Sequence, residues 1–79
     1  MMQVNVKLFA SLRDPYPEIP IGQPMTVSLS DNATLADLID SLNLPTVKII
    51  FVNGVPHADR NLPLQHHDDI AVFPPLAGG

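Results

Sequence analysis

The sequence contains no cysteine, which excludes disulfide bonds, thiolate metal ligands and a cysteine nucleophile. Small secreted domains usually depend on disulfides, and residues 1–5 show no basic segment followed by an apolar one. No apolar run approaches the length of a membrane span. We therefore expect a cytoplasmic protein that does not contact a membrane.

Positive charge is scarce as well. The chain has four Lys and Arg residues against eight Asp and Glu residues, which gives a formal net charge of −4. Because contacts to phosphates need Lys and Arg, this balance disfavours nucleic-acid binding. The four basic residues are scattered, at Lys7, Arg13, Lys48 and Arg60. An acidic surface instead suits a protein partner with a basic face.

Glycine is limited to four positions, Gly22, Gly54, Gly78 and Gly79. They do not form a Gly-rich phosphate-binding loop, so we expect any ATP to be bound by a partner and no cofactor to be bound by this chain. With 79 residues, the chain makes one small domain with little room for an enclosed cavity. These features favour a carrier or binding module over a self-sufficient enzyme.

Alternating apolar residues predict the first two strands. In residues 3–9, Val4, Val6 and Leu8 fall on one side of the strand. Residues 25–30 alternate in the same way, and the two strands are the natural first hairpin. The prolines in residues 10–24 exclude a regular element over most of that stretch, which we interpret as a rigid surface loop.

Four apolar residues at helical spacing predict a helix over residues 34–42. They are Leu35, Leu38, Ile39 and Leu42. Thr34 is a favourable N-cap, and Asp37 three residues later completes a capping box. Pro45 ends the helix.

The second half of the chain predicts three more strands. Residues 47–52 are mostly apolar, as in a central strand. Asn53-Gly54 is the strongest two-residue turn signal, and it leads to a short strand in the otherwise irregular residues 55–65. Residues 70–73 form the last strand. We predict an α+β, β-grasp (ubiquitin-like) domain over residues 1–73, with one main helix packed on one face of a mixed sheet.

The C-terminal residues 74–79 predict a flexible tail. Pro74 and Pro75 end the last strand and keep the backbone extended. Gly78 and Gly79 have no Cβ and can enter a narrow channel. From Pro74 the tail reaches roughly 20 Å, at about 3.3 Å per residue. A tail with stiff proline residues at its start, two glycines at its end and a terminal carboxylate is suited to enter a partner's active site. The alternative is a disordered terminus without a function.

Four segments resemble the small sulfur-carrier proteins of cofactor biosynthesis, over nearly the whole chain. Residues 4–13 are similar to their first strand, residues 34–38 to their helix start, and residues 52–54 to their central turn. Residues 69–79 are similar to the ending of the small subunit of molybdopterin synthase, and the Phe-Pro-Pro sequence is the most specific part. Thiamine-pathway sulfur carriers share the terminal Gly-Gly but usually lack Pro-Pro.

The resemblance implies a mechanism. A partner related to ubiquitin-activating enzymes, an adenylyltransferase, would adenylate the Gly79 carboxylate with ATP, and sulfur would then replace the adenylate. The resulting thiocarboxylate would donate sulfur to a pterin precursor bound by the large subunit of molybdopterin synthase, for molybdenum or tungsten cofactor. A sulfur carrier for thiamine or another metabolite, a ubiquitin-like modifier joined to lysines through Gly79, and an interaction module with an inert tail remain open.

Strand alternation predicts a docking face for these partners. With Val4, Val6 and Leu8 inward, Phe9 faces outward, and with Ile70 and Val72 inward, Phe73 does so. If Val47, Ile49 and Phe51 face inward, Ile50 and Val52 face outward. Exposed apolar patches usually mark interaction sites. The predicted partner-binding residues are Phe9, Ile50, Val52, Phe73, Pro74, Pro75, Leu76 and Ala77. A third strand buried on both sides is the alternative.

Other polar residues have ordinary explanations. His66 and His67 would point to opposite sides of an extended segment and would not easily share a metal ion, so we favour a solvated turn and expect no metal site. Asp37 and Asp40 are a pair of carboxylates, for which capping and solubility are favoured over acid–base chemistry. Tyr16 either packs the Pro-rich loop onto the domain or anchors a partner.

Overall fold

The computed structural model describes residues 1–75, and within them one mixed sheet carries one α-helix. The elements are β1 (Met2–Leu8), a 3₁₀ helix (Ala10–Arg13), β2 (Met25–Leu29), α1 (Leu35–Ser41), β3 (Ile49–Val52), β4 (Val55–His57) and β5 (Asp69–Phe73). The sheet order is β2-β1-β5-β3-β4. β1 and β5 are parallel, and the other neighbouring strands are antiparallel. This is the predicted β-grasp fold.

A single hydrophobic cluster lies between α1 and one face of the sheet. Leu35 and Leu38 of α1 are completely buried there. The inward residues predicted for the first and last strands lie in the same cluster: Val4, Val6, Leu8, Ile70 and Val72. Alternation on β1 and β5 therefore assigned the two faces correctly, because the positions between these inward residues are polar or small, namely Asn5, Lys7 and Ala71.

The helix begins with the predicted capping box. The Thr34 N–H donates to the Asp37 carboxylate at 2.8 Å, and the Asp37 N–H donates to the Thr34 hydroxyl oxygen at 3.4 Å. These bonds satisfy two backbone donors that the first helical turn leaves without partners. Asp37 is thereby assigned to capping, as favoured over acid–base chemistry.

Two loops follow their predicted chemistry, with one addition. Asn53 and Gly54 both have positive φ, 52° and 84°, as a tight turn between the antiparallel strands β3 and β4 requires. The Pro-rich segment is irregular except for the 3₁₀ helix before its first proline. Tyr16 packs against the core, and its hydroxyl donates to the Leu42 carbonyl at 3.4 Å, which ties this loop to the end of α1.

The prediction of which β3 residues face the core was wrong. Ile50 and Val52 are 0% and 7% exposed and face the core, whereas Ile49 and Phe51 face outward. The cause is the register with β5, which pairs Ile50 with Val72 and places both on the same face of the sheet. Residues 47–52 carry apolar side chains at both parities, so their pattern did not determine the register.

Within residues 1–75, no helix has the length and apolar character needed to cross a bilayer.

Candidate functional site

Three aromatic rings meet on the outward face of the sheet. The Phe9 and Phe73 rings stack with their centroids 4.2 Å apart and their planes 9° from parallel. Phe51 meets Phe73 edge-on, at 5.7 Å and 77°. Ile49, which pairs with Phe73 across the sheet, is 40% exposed beside them. We call Phe9, Ile49, Phe51 and Phe73 the aromatic face.

The sheet topology brings these residues together from three strands. Because β1 and β5 are parallel, both end at the same edge of the sheet, and Phe9 follows β1 where Phe73 ends β5. The Phe9 N–H donates to the Val72 carbonyl at 3.2 Å, which holds the chain against β5 one residue beyond β1. The antiparallel strand β3 starts at this same edge with Ile49.

The aromatic face lies where the C-terminal tail begins. The Phe73 carbonyl accepts a hydrogen bond of 2.9 Å from the Lys48 N–H, so the sheet holds the chain as far as Phe73. Pro74 has no N–H to continue the pairing. Pro74 is half-buried and Pro75 is exposed. A partner that binds the aromatic face therefore also meets the start of the tail.

The residues to which the sequence assigned the chemistry lie beyond this point. Leu76, Ala77, Gly78 and Gly79 are outside the described residues. The carrier role of Gly78 and Gly79 and the partner contacts of Leu76 and Ala77 stay predictions.

Two open depressions flank the aromatic rings and share Phe51 and Phe73 as common walls. One has a volume of about 490 Å³, and its lining includes Lys7 and Ala71. Ala71 lies between Lys7 and Phe51 in the cross-strand register. Because its side chain is small, the surface is recessed at this position. The other has a volume of about 520 Å³ and is bounded by Lys48, Pro74 and Pro75. The surface can therefore receive bulky apolar side chains of a partner.

Sequence reasoning found half of the aromatic face. Phe9 and Phe73 face outward as predicted, and the rings are in contact. Ile50 and Val52 are absent from the surface because they are part of the core. Ile49 and Phe51 were assigned to the core and instead complete the face. The alternation of β5, extended across the sheet to β3, was the signal that could have identified them.

The histidine pair does not have the geometry predicted for it. His67 has φ of 72°, so the segment is not extended, and the rings of His66 and His67 lie together with centroids 3.7 Å apart. The Gln3 N–H donates to His66 Nδ1 at 2.9 Å, and the Gln3 carbonyl accepts from the His67 N–H. These bonds fasten the turn before β5 to β1. In the described part of the chain, no group of three His, Cys, Asp or Glu residues could hold a metal ion.

A family model places the chain among known proteins. The model described as the ThiS family matches residues 6–79, which is nearly the whole sequence. The chain belongs to the ThiS family. This is a family of ubiquitin-like sulfur carriers with the β-grasp fold, as the sequence resemblance implied. No curated protein matches the chain.

Solved structures show the same fold at low sequence identity. The crystal structure of small archaeal modifier protein 1 from Haloferax volcanii has a TM-score of 0.75 and 22% identity, with 96% of this chain and 100% of that chain covered. A putative molybdopterin converting factor subunit 1 from Pyrococcus furiosus has a TM-score of 0.74 and 23% identity, with 96% and 100% covered. The complex of molybdopterin-converting factor subunits 1 and 2 from Helicobacter pylori contains a chain with a TM-score of 0.64 and 22% identity, with 99% and 100% covered.

Proposed function

We propose that this protein is a sulfur carrier in the biosynthesis of molybdopterin, for molybdenum or tungsten cofactor. An adenylyltransferase related to ubiquitin-activating enzymes activates the Gly79 carboxylate, and the resulting thiocarboxylate donates its sulfur. The observation that carries the proposal is the exposed aromatic face at the end of β5, directly before Pro74 and the Gly-Gly ending. Membership of the ThiS family supports it.

The proposed chemistry needs little from this chain beyond presentation of the carboxylate. The carboxylate of Gly79 attacks the α-phosphorus of ATP, pyrophosphate leaves, and an acyl adenylate forms. A sulfur nucleophile then attacks the acyl carbon, and AMP leaves with its electron pair, which is easier than loss of oxide from a free carboxylate. The partner binds ATP and supplies the catalytic groups. This chain supplies the docking surface and a tail without side chains at its last two residues.

The aromatic face is the proposed binding site for both partners, together with Pro74 and Pro75. Phe9, Phe51 and Phe73 are half-buried rings with accessible surface, and aromatic residues are enriched at protein–protein interfaces. The relative from Helicobacter pylori forms a complex with a second subunit, which supports a large-subunit partner for this chain. In that assembly the thiocarboxylate would reach a pterin precursor held by the large subunit.

Intact-mass spectrometry tests the proposal. The purified chain is incubated with ATP, the adenylyltransferase from the same genome and a sulfur donor. We expect the replacement of one oxygen by one sulfur at Gly79, and no such change after deletion of Gly79. The deletion variant should keep the thermal unfolding of the wild type, because the strand pairing ends at Phe73. An unchanged mass of the wild-type chain would contradict the proposal.

A ubiquitin-like modifier is the second candidate, favoured by the fold similarity to small archaeal modifier protein 1. In this case the activated Gly79 would form an isopeptide bond with a lysine amine instead of accepting sulfur. The same mass experiment separates the candidates, because conjugation yields adducts heavier by a whole protein. A sulfur carrier for thiamine or another metabolite would pass the mass test but would not restore molybdopterin synthesis with the large subunit.

A further inference from the structure

Two of the four basic residues are already engaged within the domain. The Arg13 guanidinium donates a hydrogen bond to the Ile19 carbonyl, and this side chain is half-buried. The half-buried Arg60 guanidinium lies 3.5 Å from the Val47 carbonyl. In contrast, Lys7 and Lys48 are exposed, and within residues 1–75 neither ammonium group forms an ion pair. These two lysines are therefore the cations available to a partner.

Both lysines border the aromatic face, on different sides of it. Lys7 lies on the outward side of β1, across from Ala71, and lines the depression walled by Phe51 and Phe73. Lys48 immediately precedes β3 and lines the second depression. Each depression beside the rings thus has one lysine in its lining.

The acidic residues are distributed differently. Seven of the eight carboxylate side chains line neither depression, and the eighth, Asp69, lines the one that contains Lys7. The Asp69 carboxylate accepts a hydrogen bond of 3.1 Å from the Asn5 side chain, at the edge of the sheet away from Phe73. The net charge of −4 therefore does not describe this face, where two lysines and one carboxylate line the two depressions.

We propose that Lys7 and Lys48 select a partner whose docking surface is an apolar patch flanked by two carboxylate groups, and that this partner is the adenylyltransferase. The identity of the partner rests on the proposed function. The net charge predicts a basic partner face, whereas the local charge around Phe73 calls for an acidic one. Flanking charges of this kind accelerate the association of two proteins and determine their relative orientation. The buried aromatic residues supply most of the affinity.

A second copy of the chain fits this surface less well. A two-fold dimer through the aromatic face would bring the lysines of one copy toward those of the other, and each copy carries a net charge of −4. Like charges would then oppose association at both the local and the overall level. Self-association is accordingly an outcome that would count against the proposal.

The association rate with the adenylyltransferase, measured by stopped-flow fluorescence at low ionic strength, provides the test. We expect Lys7→Gln and Lys48→Gln each to slow association about threefold, and the double variant about tenfold, as for charges at an interface rim. In 1 M NaCl, where the Debye length is about 3 Å, the double variant should associate at the wild-type rate.

A matched control removes the effect of overall charge. Ser30→Glu adds one negative charge at an exposed position directly after β2, whose end pairs with Met2 at the edge of the sheet far from Phe73. This variant has the same net charge as either lysine variant and should associate at nearly the wild-type rate. The proposal would be overturned if Ser30→Glu slowed association equally, if both lysine variants associated at the wild-type rate, or if the wild type did not bind. A wild-type dimer that dissociates in the double variant would also overturn it.

The proposed function can fail separately. If wild-type chain binds with this salt dependence but gains no sulfur at Gly79, docking stands and the sulfur-carrier role fails. If sulfur transfer occurs and the lysine variants associate normally, the role stands and the selection by Lys7 and Lys48 fails.

Discussion

Adjacent isoleucines on β3 provide a sensitive test of the structure. Ile50 is 0% exposed and lies in the core beside Val72, whereas Ile49 is 40% exposed on the aromatic face. The same substitution at both positions therefore compares the two faces of one strand. We predict that Ile50→Glu unfolds the domain and that Ile49→Glu leaves it folded.

The magnitudes follow from burial. Truncation of a buried isoleucine costs about 2–5 kcal/mol, and an uncompensated buried charge costs about 3–5 kcal/mol more. At about 0.05–0.15 kcal/mol per residue, a domain of this length has a total stability of roughly 4–12 kcal/mol. Ile50→Glu should remove most or all of it. Ile49→Glu should change the stability by less than about 1 kcal/mol, because this position is 40% exposed and a carboxylate there can reach water.

Circular dichroism during thermal and urea unfolding measures both effects. Since Ile50→Glu can prevent folding altogether, Ile50→Ala and Ile49→Ala form a milder pair, with expected losses of about 2–5 kcal/mol and less than about 1 kcal/mol. Ile49→Glu should also weaken binding of the adenylyltransferase, which separates surface function from stability. Equal losses at the two positions, or a larger loss at Ile49, would refute the assigned register.

Three further changes test other parts of the structure. Thr34→Ala removes the capping box and should lower the free energy of unfolding by about 1 kcal/mol in urea titrations, with Ser41→Ala at the other end of α1 as a control. Gly54→Ala should cost about 1–2 kcal/mol in the same assay, from backbone strain at φ of 84°, since a Cβ there meets no atom within 4 Å. Phe73→Ala should weaken binding of the adenylyltransferase by about 2 kcal/mol in calorimetry, and wild-type affinity would exclude the aromatic face as the docking site.

Local signals in the sequence determined most of the fold. Val4, Val6 and Leu8 alternate with polar residues, so one face of β1 had to be the buried one. The helix stripe and its capping box involve residues three and four apart, and the Asn53-Gly54 turn involves two neighbours. Each of these signals acts within a few residues of the chain, and for that reason each can be identified without knowledge of the rest of the structure.

The features that sequence reasoning missed depend on distant residues. The parity of β3 is set by its pairing with β5, about twenty residues further along, and its own residues suit either face. The contact between the His66 and His67 rings depends on a positive φ at His67, which the bonds to Gln3 support from the other end of the chain. Local patterns carry no information on such pairings.

The aromatic face is likewise a product of topology. Phe9, Ile49 and Phe73 are separated by tens of residues, and they meet because two parallel strands end where an antiparallel strand begins. The same arrangement places Phe73, the last residue of β5, in contact with the other two rings and directly before Pro74. Under the proposed function, docking and delivery of the tail would both depend on Phe73, because a partner that covers Phe73 would also determine where the following residues start. Under the proposed function this coupling is important, because the contribution of the carrier to the reaction would be the placement of its C-terminal carboxylate.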